Sequence, residues 1–471
     1  LFIILSGIII SLLILESNVY RPDAGLYHLP YVKILNDEKI IIGLANFHFR
    51  YAHISIIQYL SAISNNLIFG DDGIVFAQAL IASSVIINFS YKIYEYNKNR
   101  EYNFHFFFLV STIIFIFYKM NRYSEYGNDA PSHFLFFFLI SEILNSKKRG
   151  IVNLFNNSLI ILFIILNKIT LLLSILLAAF SLKEINLKKL FFSKKFYFLG
   201  IFTTLWFLKN VLISGCILYP VKSLCFEKFI WTDIQKVQVV SSENEAWTKG
   251  WPDYTKIQNE KKAQIVDKET YLKNFYWLPY WSKNHLKKIL EIIIPYIIFL
   301  IVFIIYLNHI KNSFNNLKIK KTYYFLIIIM FLSTLFWLIK VPVFRYGYSY
   351  LISFVSLIFA FICIRFNFKK NIQKVFNILL ILCFSVFILK NILRISKSHN
   401  DYNNYPWPKY FAMNQDNINN GVEKLKLDEK ILYKPKKNGY CMFSLSPCGN
   451  YGIEEGLNLT KKHNYFIFYK N

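Results

Sequence analysis

The sequence lacks the motifs by which many soluble enzymes bind nucleotides or metals or activate a nucleophile. It has no glycine-rich phosphate loop, no HExxH, no CxxC and no G-x-S-x-G. These absences argue against a P-loop ATPase, a zinc hydrolase and a serine hydrolase, because each of those chemistries depends on its motif. Any use of ATP would therefore require a partner protein.

Acidic residues are scarce as well. The chain has 28 Asp and Glu against 54 Lys and Arg, which gives a formal net charge of +26. An excess of this size suggests a nucleic-acid partner when the cations form one patch. Here the cations cluster in short loops between hydrophobic runs, as they do in membrane proteins oriented by positive loops. We therefore expect membrane lipids, and no nucleic acid, as partners.

Long hydrophobic runs dominate what is present. Hydrophobic residues make up 55% of the chain, and runs such as 293–307, 325–339 and 378–389 are nearly unbroken. With their flanks these runs approach about 18–20 residues, the length of a transmembrane helix. The sequence thus predicts an all-α membrane protein with about eleven transmembrane helices, over residues 1–15, 74–89, 104–118, 133–144, 151–166, 170–182, 196–213, 289–307, 324–339, 346–364 and 376–392.

Two of these assignments have alternatives. Residues 151–182 can form either two spans or one broken element. The first run ends at Glu16 without a small-residue cleavage site before it. We therefore expect it to be the end of a first span whose N-terminal part is missing, rather than a signal peptide.

Positive charge alternates between successive loops. Every second short loop is basic: Lys92, Lys98 and Arg100; Lys147, Lys148 and Arg149; Lys183, Lys188, Lys189, Lys194 and Lys195; Lys311, Lys318, Lys320 and Lys321; Arg365, Lys369, Lys370 and Lys374. Positive loops stay in the cytoplasm, so the outer side receives the long first loop (16–73), the loop 119–132, the large loop 214–288 and a tail. We expect a transmembrane domain over 1–392 and a small outer C-terminal tail over 393–471.

The cysteines agree with this orientation. Cys216 and Cys225 lie in the large outer loop, and Cys441 and Cys448 lie in the outer tail. Two close pairs on the outer side favour two disulfides in an oxidising compartment. Zinc is the alternative, but neither pair has metal-finger spacing.

Unusual polar residues gather on the outer side. The first loop has Asp23, Tyr27, His28 and Arg50; the second outer loop has Asp129 and His133; and the last outer turn has Lys340 and Arg345. A carboxylate can take the proton of an attacking hydroxyl, and a fixed cation can stabilise a departing phosphate. We therefore expect a reaction with a phosphorylated lipid at this face.

Each of these residues also has a simpler explanation. Asp23 can be a loop carboxylate that complements a helix dipole, and Asp129 can cap the next helix. Arg345 can be an interfacial anchor that extends to the head groups. The histidines can be ordinary hydrogen-bonding residues.

The stretch Asp23-Ala-Gly-Leu-Tyr-His-Leu-Pro30 resembles an Asp-x-x-x-Tyr-His-x-Pro motif in the first outer loop of GT-C type glycosyltransferases. These multi-span enzymes take sugars from polyprenyl-phosphate donors. Residues 46–64 resemble the surface helix of that loop, Asp129 resembles the second acidic site, and Arg345 lies where related enzymes have a basic residue. Within this superfamily the tail, with 405–409 and 441–451, resembles a poorly characterised bacterial membrane-protein family.

The resemblance implies a glycosyltransferase of the inner (plasma) membrane, with inverting transfer of a hexosyl or pentosyl group to a lipid, glycan or protein acceptor at the outer face. Asp23 would be the catalytic base, Arg345 and Lys340 would hold the lipid phosphate, and Asp129 and His28 would shape the site or help to bind a metal. Tryptophans of the large loop would offer stacking faces for sugars: Trp231, Trp247, Trp251, Trp277 and Trp281. The alternative is an aromatic belt at the membrane interface, which we favour for Trp277 and Trp281. No cofactor is certain; Mg or Mn is an alternative, although the next acids after Asp23 are only Asp37 and Glu38.

Two other functions compete with sugar transfer from a lipid carrier. A non-enzymatic lipid or polysaccharide transporter or flippase would place ionisable groups near mid-bilayer and show internal repeats. The main charges in or near spans are Lys168 and Lys209, and no repeat is evident. A surface-polysaccharide polymerase or ligase would share the transferase chemistry.

Overall fold

The computed structural model describes most of the chain. The described residues are 2–17, 21–53, 55–120, 123, 125–145, 150–182, 193–251, 267–314, 319–368, 372–401, 415–436, 439–449 and 456–470. Parts of the basic loops (147–149, 183–189, 318 and 369–370) and the tail motif 405–409 lie outside them.

The protein is mainly helical. Its helices are α1 (Phe2–Glu16), α2 (Leu29–Asp37), α3 (Leu44–Phe47), α4 (Ile56–Ser64), α5 (Gly73–Asn99), α6 (Phe104–Tyr118), α7 (Asp129–Asn145), α8 (Ile151–Asn167), α9 (Ala179–Leu182), α10 (Lys194–Ser214), α11 (Ile234–Thr248), α12 (Lys268–Leu272), α13 (Leu278–Trp281), α14 (Lys287–Ile310), α15 (Lys321–Lys340), α16 (Phe344–Cys363), α17 (Ile372–Asp401) and α18 (Gln415–Asn420). A π-helical turn over Ala24–His28 precedes α2, and a 3-10 helix over Ile169–Ala178 links α8 to α9.

Six helical stretches are long and apolar enough to cross a membrane. They are Gly70–Asn99, Lys194–Ser214, Leu278–Ile310, Lys321–Lys340, Phe344–Cys363 and Ile372–Lys397. Shorter apolar helices cover Ile4–Glu16, Phe104–Tyr118, Ile151–Asn167 and Ile169–Leu182. The structure thus has the helices of a membrane protein, whereas the count of eleven crossings remains a prediction.

The helix α6 lies in the centre of the bundle. Nearly every side chain of α6 is buried, and the helix packs against α5, α7, α16 and α17. Such a position is typical of a helix that is apolar on all faces. By contrast, α10, α14 and α17 expose large apolar side chains along their length, as expected for helices that face lipid.

Polar contacts concentrate at two ends of the bundle. At one end, Lys92 pairs with Glu142 at 2.8 Å, and strand β1 (Lys311–Phe314) pairs with β2 (Phe366–Phe368). All of these segments belong to or adjoin the basic loops. At the other end, the first loop contacts the large loop and the tail. Segments that were assigned to the same side of the membrane from the charge of their loops therefore contact each other. Which end of the bundle faces outward remains a prediction.

The first loop differs in detail from the sequence prediction. A single surface helix over 46–64 was expected, but the structure divides this region into α3, a 3-10 turn over Phe49–Ala52, and α4. His48 breaks the helix, since its backbone is extended and its ring Nδ1 accepts a hydrogen bond from the Arg50 amide. Ser55 then restarts it through a capping box with Gln58.

The tail adds β-structure that the sequence did not predict. It forms two antiparallel hairpins, β3 (Val422–Leu427) with β4 (Lys430–Pro435) and β5 (Leu457–Lys462) with β6 (Tyr465–Lys470). The second hairpin lies on the first loop, where the Phe468 amide donates to the Ile42 carbonyl at 2.9 Å. Gly43 permits this approach, because it has φ 69° and a Cβ there would lie 2.1 Å from the Phe468 oxygen.

Candidate functional site

Asp23 lies at the start of the π-helical turn that follows α1. Its side chain makes no capping bond to that turn. Instead its Oδ2 accepts a hydrogen bond from Arg345 Nη1 at 3.1 Å, and this ion pair joins the first loop to the first turn of α16. The Asp23 and Arg345 side chains are 28% and 20% exposed, so the pair is reachable from solvent.

Aromatic rings surround the Arg345 guanidinium. Its Cζ lies 5.4 Å from the ring centroid of Trp247 in α11 and 5.1 Å from that of Tyr346. Its Nη2 also donates to the Tyr346 hydroxyl at 3.3 Å. These rings restrict the guanidinium by cation–π contact and hold it toward Asp23.

The pKa of Asp23 is lowered from its ordinary value. Burial alone would raise this pKa, but the charge and hydrogen bond of Arg345, with the charges of His28 and Arg50, outweigh burial. Asp23 is therefore a carboxylate at neutral pH, which is the protonation state required of a general base.

Tyr27, His28 and Arg50 adjoin Asp23. The Arg50 guanidinium carbon lies 5.0 Å from the Tyr27 ring centroid, and within the described residues Arg50 forms no ion pair with an acidic side chain. His28 is buried, and its Nδ1 lies 3.2 Å from Gln58 Nε2. Burial lowers the pKa of His28 to about 4 despite the nearby Asp23 carboxylate, so this ring is neutral at pH 7.

A second ion pair lies beside the first. Lys168 donates to the Asp129 carboxylate, and both side chains are largely buried. The Lys168 amine also lies 4.6 Å from the Tyr346 ring centroid. Because the Tyr346 ring contacts both Lys168 and Arg345, the two ion pairs form one connected cluster.

The break between α8 and the following 3-10 helix places Lys168. Asn167 donates from Nδ2 to the Asn128 carbonyl and to Ser132 Oγ, both at 2.7 Å. Asn128 in turn donates to the Asn167 carbonyl at 3.2 Å. Sequence reasoning assigned Lys168 no role in the site, although a lysine between two apolar runs marks this position.

His133 and Lys340 lie differently from the rest of the candidate set. The His133 ring is 2.9 Å from both Ser349 Oγ and the Arg345 carbonyl oxygen, so it supports the backbone of Arg345 from inside the bundle. Lys340 is exposed at the end of α15. Among the described contacts, no hydrogen bond or ion pair joins Lys340 to this cluster.

Each of the two carboxylates is paired with a cation. Asp23 is engaged by Arg345 and Asp129 by Lys168. Among the described residues, no group of three or more His, Cys, Asp or Glu side chains is arranged to hold a metal ion.

The tryptophans of the large loop separate into two groups. Trp247 is 42% exposed and faces Arg345. Trp277 and Trp281 are buried in the core, and Trp231 donates from its indole to the Val211 carbonyl. Of these four, Trp247 alone combines an exposed ring with a contact to the cluster.

Both cysteine pairs that were predicted to lie on the outer side are disulfide-bonded in the structure. Cys216 is joined to Cys225, and Cys441 to Cys448. The two cysteines in spans, Cys363 and Cys383, are free thiols.

The fold and this cluster define a helical membrane-protein architecture with a charged site at one end of the bundle. The chain belongs to the family described as Domain of unknown function (DUF8201), whose model matches residues 1–352. That range contains Asp23, Asp129, Lys168 and Arg345. No curated protein and no solved structure matches the chain.

Proposed function

We propose that this protein is a glycosyltransferase that moves a sugar from a polyprenyl-phosphate donor to a lipid, glycan or protein acceptor at the outer face of the inner membrane. The observation that carries the proposal is the partly exposed Asp23–Arg345 pair, 3.1 Å between Oδ2 and Nη1. It puts a carboxylate that can take a proton beside a cation that can hold a phosphate.

The reaction is a single displacement at the anomeric carbon of the donor sugar. The acceptor hydroxyl gives its proton to Asp23 while its oxygen forms a bond to the anomeric carbon. The bond from that carbon to the phosphate oxygen breaks, and the electron pair leaves with polyprenyl phosphate. Arg345 and Arg50 stabilise the negative charge that develops there. Because the nucleophile and leaving group lie on opposite sides of the carbon, the configuration inverts.

Donor binding also adjusts the base. In the structure Arg345 is bound to Asp23 and lowers the pKa of that carboxyl. A donor phosphate competes for the same guanidinium and neutralises part of its charge. The pKa of Asp23 then rises and the carboxylate becomes a stronger base once the donor is bound. Arg50, which has no acidic partner within the described residues, gives the phosphate a second cation.

Charge and aromatic surface also favour this substrate class. Asp23, Asp129, Arg345, Lys168 and Arg50 together carry one net positive charge at neutral pH, which suits an anionic ligand. The exposed ring of Trp247 next to Arg345 offers an apolar face on which a sugar ring packs. Lys340 has no part in this assignment, because no described contact brings it to the cluster.

A donor panel tests the proposal. The purified protein in lipid nanodiscs is incubated with polyprenyl-phosphate sugars and, separately, with nucleotide sugars, each with an acceptor lipid fraction. Release of polyprenyl phosphate together with a glycosylated product from the first set only is expected. Consumption of nucleotide sugars would overturn the proposal in favour of another transferase. If no donor in the panel is consumed and the protein moves intact lipid-linked glycans across vesicle membranes, the protein is a flippase and the proposal is overturned.

A further inference from the structure

The disulfide-closed loop of the tail, Cys441–Cys448, contacts the segment that carries Asp23. The Met442 amide donates to the carbonyl of Gly25 at 2.9 Å, and Gly25 belongs to the π-helical turn that begins after Asp23. Met442 has φ 53°, a conformation that residues with side chains rarely adopt. Met442 takes this conformation at the point where its amide bonds to the Asp23 turn.

Apolar burial reinforces the hydrogen bond. Met442 and Phe443 are 2% and 4% exposed, and they pack in one cluster with Ala24, Leu29 and Val32 of the first loop. Ala24 is the residue next to Asp23. A shift of this part of the tail would thus move the backbone from which the carboxylate projects.

The far end of the same loop contacts a second part of the first loop. The hydroxyl of Tyr51, the residue that follows Arg50 in the sequence, donates to the Cys448 carbonyl. Gly449 lies against Phe47, where a Cβ would come within 2.8 Å of the ring. The loop therefore joins the turn that carries Asp23 to the turn that carries Arg50.

The disulfide makes this connection permanent. Cys441 and Cys448 are 0% and 2% exposed, so a soluble reductant does not reach the bond in the folded protein. The bond restricts a short loop whose free conformations would otherwise be many. Such a buried disulfide has a structural role and does not respond to the redox state of the surroundings.

We propose that the Cys441–Cys448 loop is a positioning element of the candidate site: it holds the Asp23 turn against Arg345, with Met442 and Phe443 as its positioning residues. The assignment of Asp23 as the base rests on the proposed function, whereas the mechanical coupling does not. The loop lies beyond residues 1–352 that match the family, so a segment outside the matched range completes the site. The Asp23 turn then takes its final position once the tail has folded and its disulfide has formed.

A matched pair of substitutions in the full-length protein tests the coupling. Phe443→Ala removes a ring from the buried cluster that contains Ala24 and Leu29, while Leu445→Ala removes a side chain of the same loop that is 41% exposed. In hydrogen exchange, Phe443→Ala is expected to speed exchange of the amides over 24–29 by about tenfold or more. Leu445→Ala should leave them unchanged, and the amides of α6 should stay protected in both variants. Unchanged exchange over 24–29 in Phe443→Ala would overturn the coupling.

The disulfides supply a second matched pair. Cys441→Ser/Cys448→Ser is expected to release the 24–29 amides and to lower kcat with little change in KM, because the donor site remains but the base is mispositioned. Cys216→Ser/Cys225→Ser should leave the 24–29 amides protected. Equal release by both double variants would show general destabilisation and overturn the positioning role. The hydrogen-exchange measurement does not depend on enzymatic activity. If the exchange results show the coupling but the wild-type protein transfers no sugar, only the proposed function has failed.

Discussion

The Asp23–Arg345 contact decides the protonation state of the candidate base. The folded-state pKa of Asp23 is lowered because Arg345 outweighs the cost of burial. The pair therefore contributes stability above the pKa that Asp has in the unfolded chain, and this contribution is lost as pH falls through the lower folded-state pKa. Because the pKa of Asp23 is lowered, we expect kcat/KM to fall only at a pH below the ordinary pKa of an aspartate.

Arg345→Gln is expected to move that acid limb to higher pH. Removal of the guanidinium leaves burial as the main influence on the carboxyl, so the pKa of Asp23 rises. The measurement is the pH dependence of kcat/KM, which reports the free enzyme. Arg365→Gln, at the opposite end of α16 from Arg345, is the control and should keep the wild-type profile. An Arg345→Gln profile that coincides with that of the wild type would contradict the electrostatic role of this arginine.

Residue types in the site were more predictable than residue contacts. An acid beside a span and an arginine in a lysine-rich chain are visible in the sequence, and Asp23, Arg50, Asp129 and Arg345 do gather in one region. The pairing of Asp23 with Arg345 spans 322 residues, and no local pattern encodes it. Lys340 was grouped with Arg345 because the two are close in sequence, but the turn between α15 and α16 leaves Lys340 exposed.

At the scale of elements, the tip between α8 and the 3-10 helix that follows it (Ile169–Ala178) fixes the second ion pair. Asn167 and Lys168 form this tip, and both bind the segment that begins α7. The Lys168 and Asp129 side chains are 6% and 10% exposed. Loss of one partner would leave a buried charge without its counterion, which is far more costly than the loss of both.

A double-mutant cycle measures this coupling. Lys168→Met is expected to destabilise the protein by about 3–5 kcal/mol, and Lys168→Met/Asp129→Asn should recover much of that loss. Thermal unfolding in detergent provides the readout. The Lys92–Glu142 pair at the other end of the bundle is 15% and 36% exposed, and the same cycle there should give only about 0–1 kcal/mol. Strictly additive effects at Lys168 and Asp129 would show that the buried pair does not couple.

Helical elements followed from the sequence, whereas their breaks did not. Apolar runs predicted most of the long helices, because a membrane-spanning segment must satisfy its backbone internally. The interruption at Lys168 was left open between two spans and one broken element, since no proline or glycine marks it. The β-hairpins of the tail were missed, and the backbone hydrogen bonds that join the second hairpin to the first loop link segments too far apart in the sequence for a local pattern to show.

At the scale of the whole molecule, sugar transfer at the outer face requires the first loop and the tail to lie outside the cytoplasm. Contacts of the first loop with β6 and with the Cys441–Cys448 loop place these segments at one end of the bundle. The Lys92–Glu142 pair and the β1–β2 hairpin lie with the basic loops. From the positive-inside rule we predict that the basic loops lie in the cytoplasm and that the first loop and the tail lie outside.

Single introduced cysteines test this orientation. Leu445 is exposed in the tail, and Lys98 is exposed at the end of α5. A membrane-impermeant maleimide added to intact spheroplasts should label Leu445→Cys at once and Lys98→Cys only after lysis. The wild-type chain is the control, since its outer cysteines are bonded and its two free thiols lie in spans. The reverse order of labelling would invert the topology and remove the site from the outer face.

The central claim is that Asp23 is the base of a sugar transfer. Its most direct test is the rate of sugar transfer from a labelled polyprenyl-phosphate donor, in membranes with equal amounts of wild type, Asp23→Asn and Asp37→Asn. Asp37 is the control, because it lies in the same loop and forms only a surface ion pair with Lys33. Asp23→Asn is predicted to lower the rate by about 10²–10⁴-fold and Asp37→Asn to leave it unchanged. Wild-type transfer by Asp23→Asn would contradict the account.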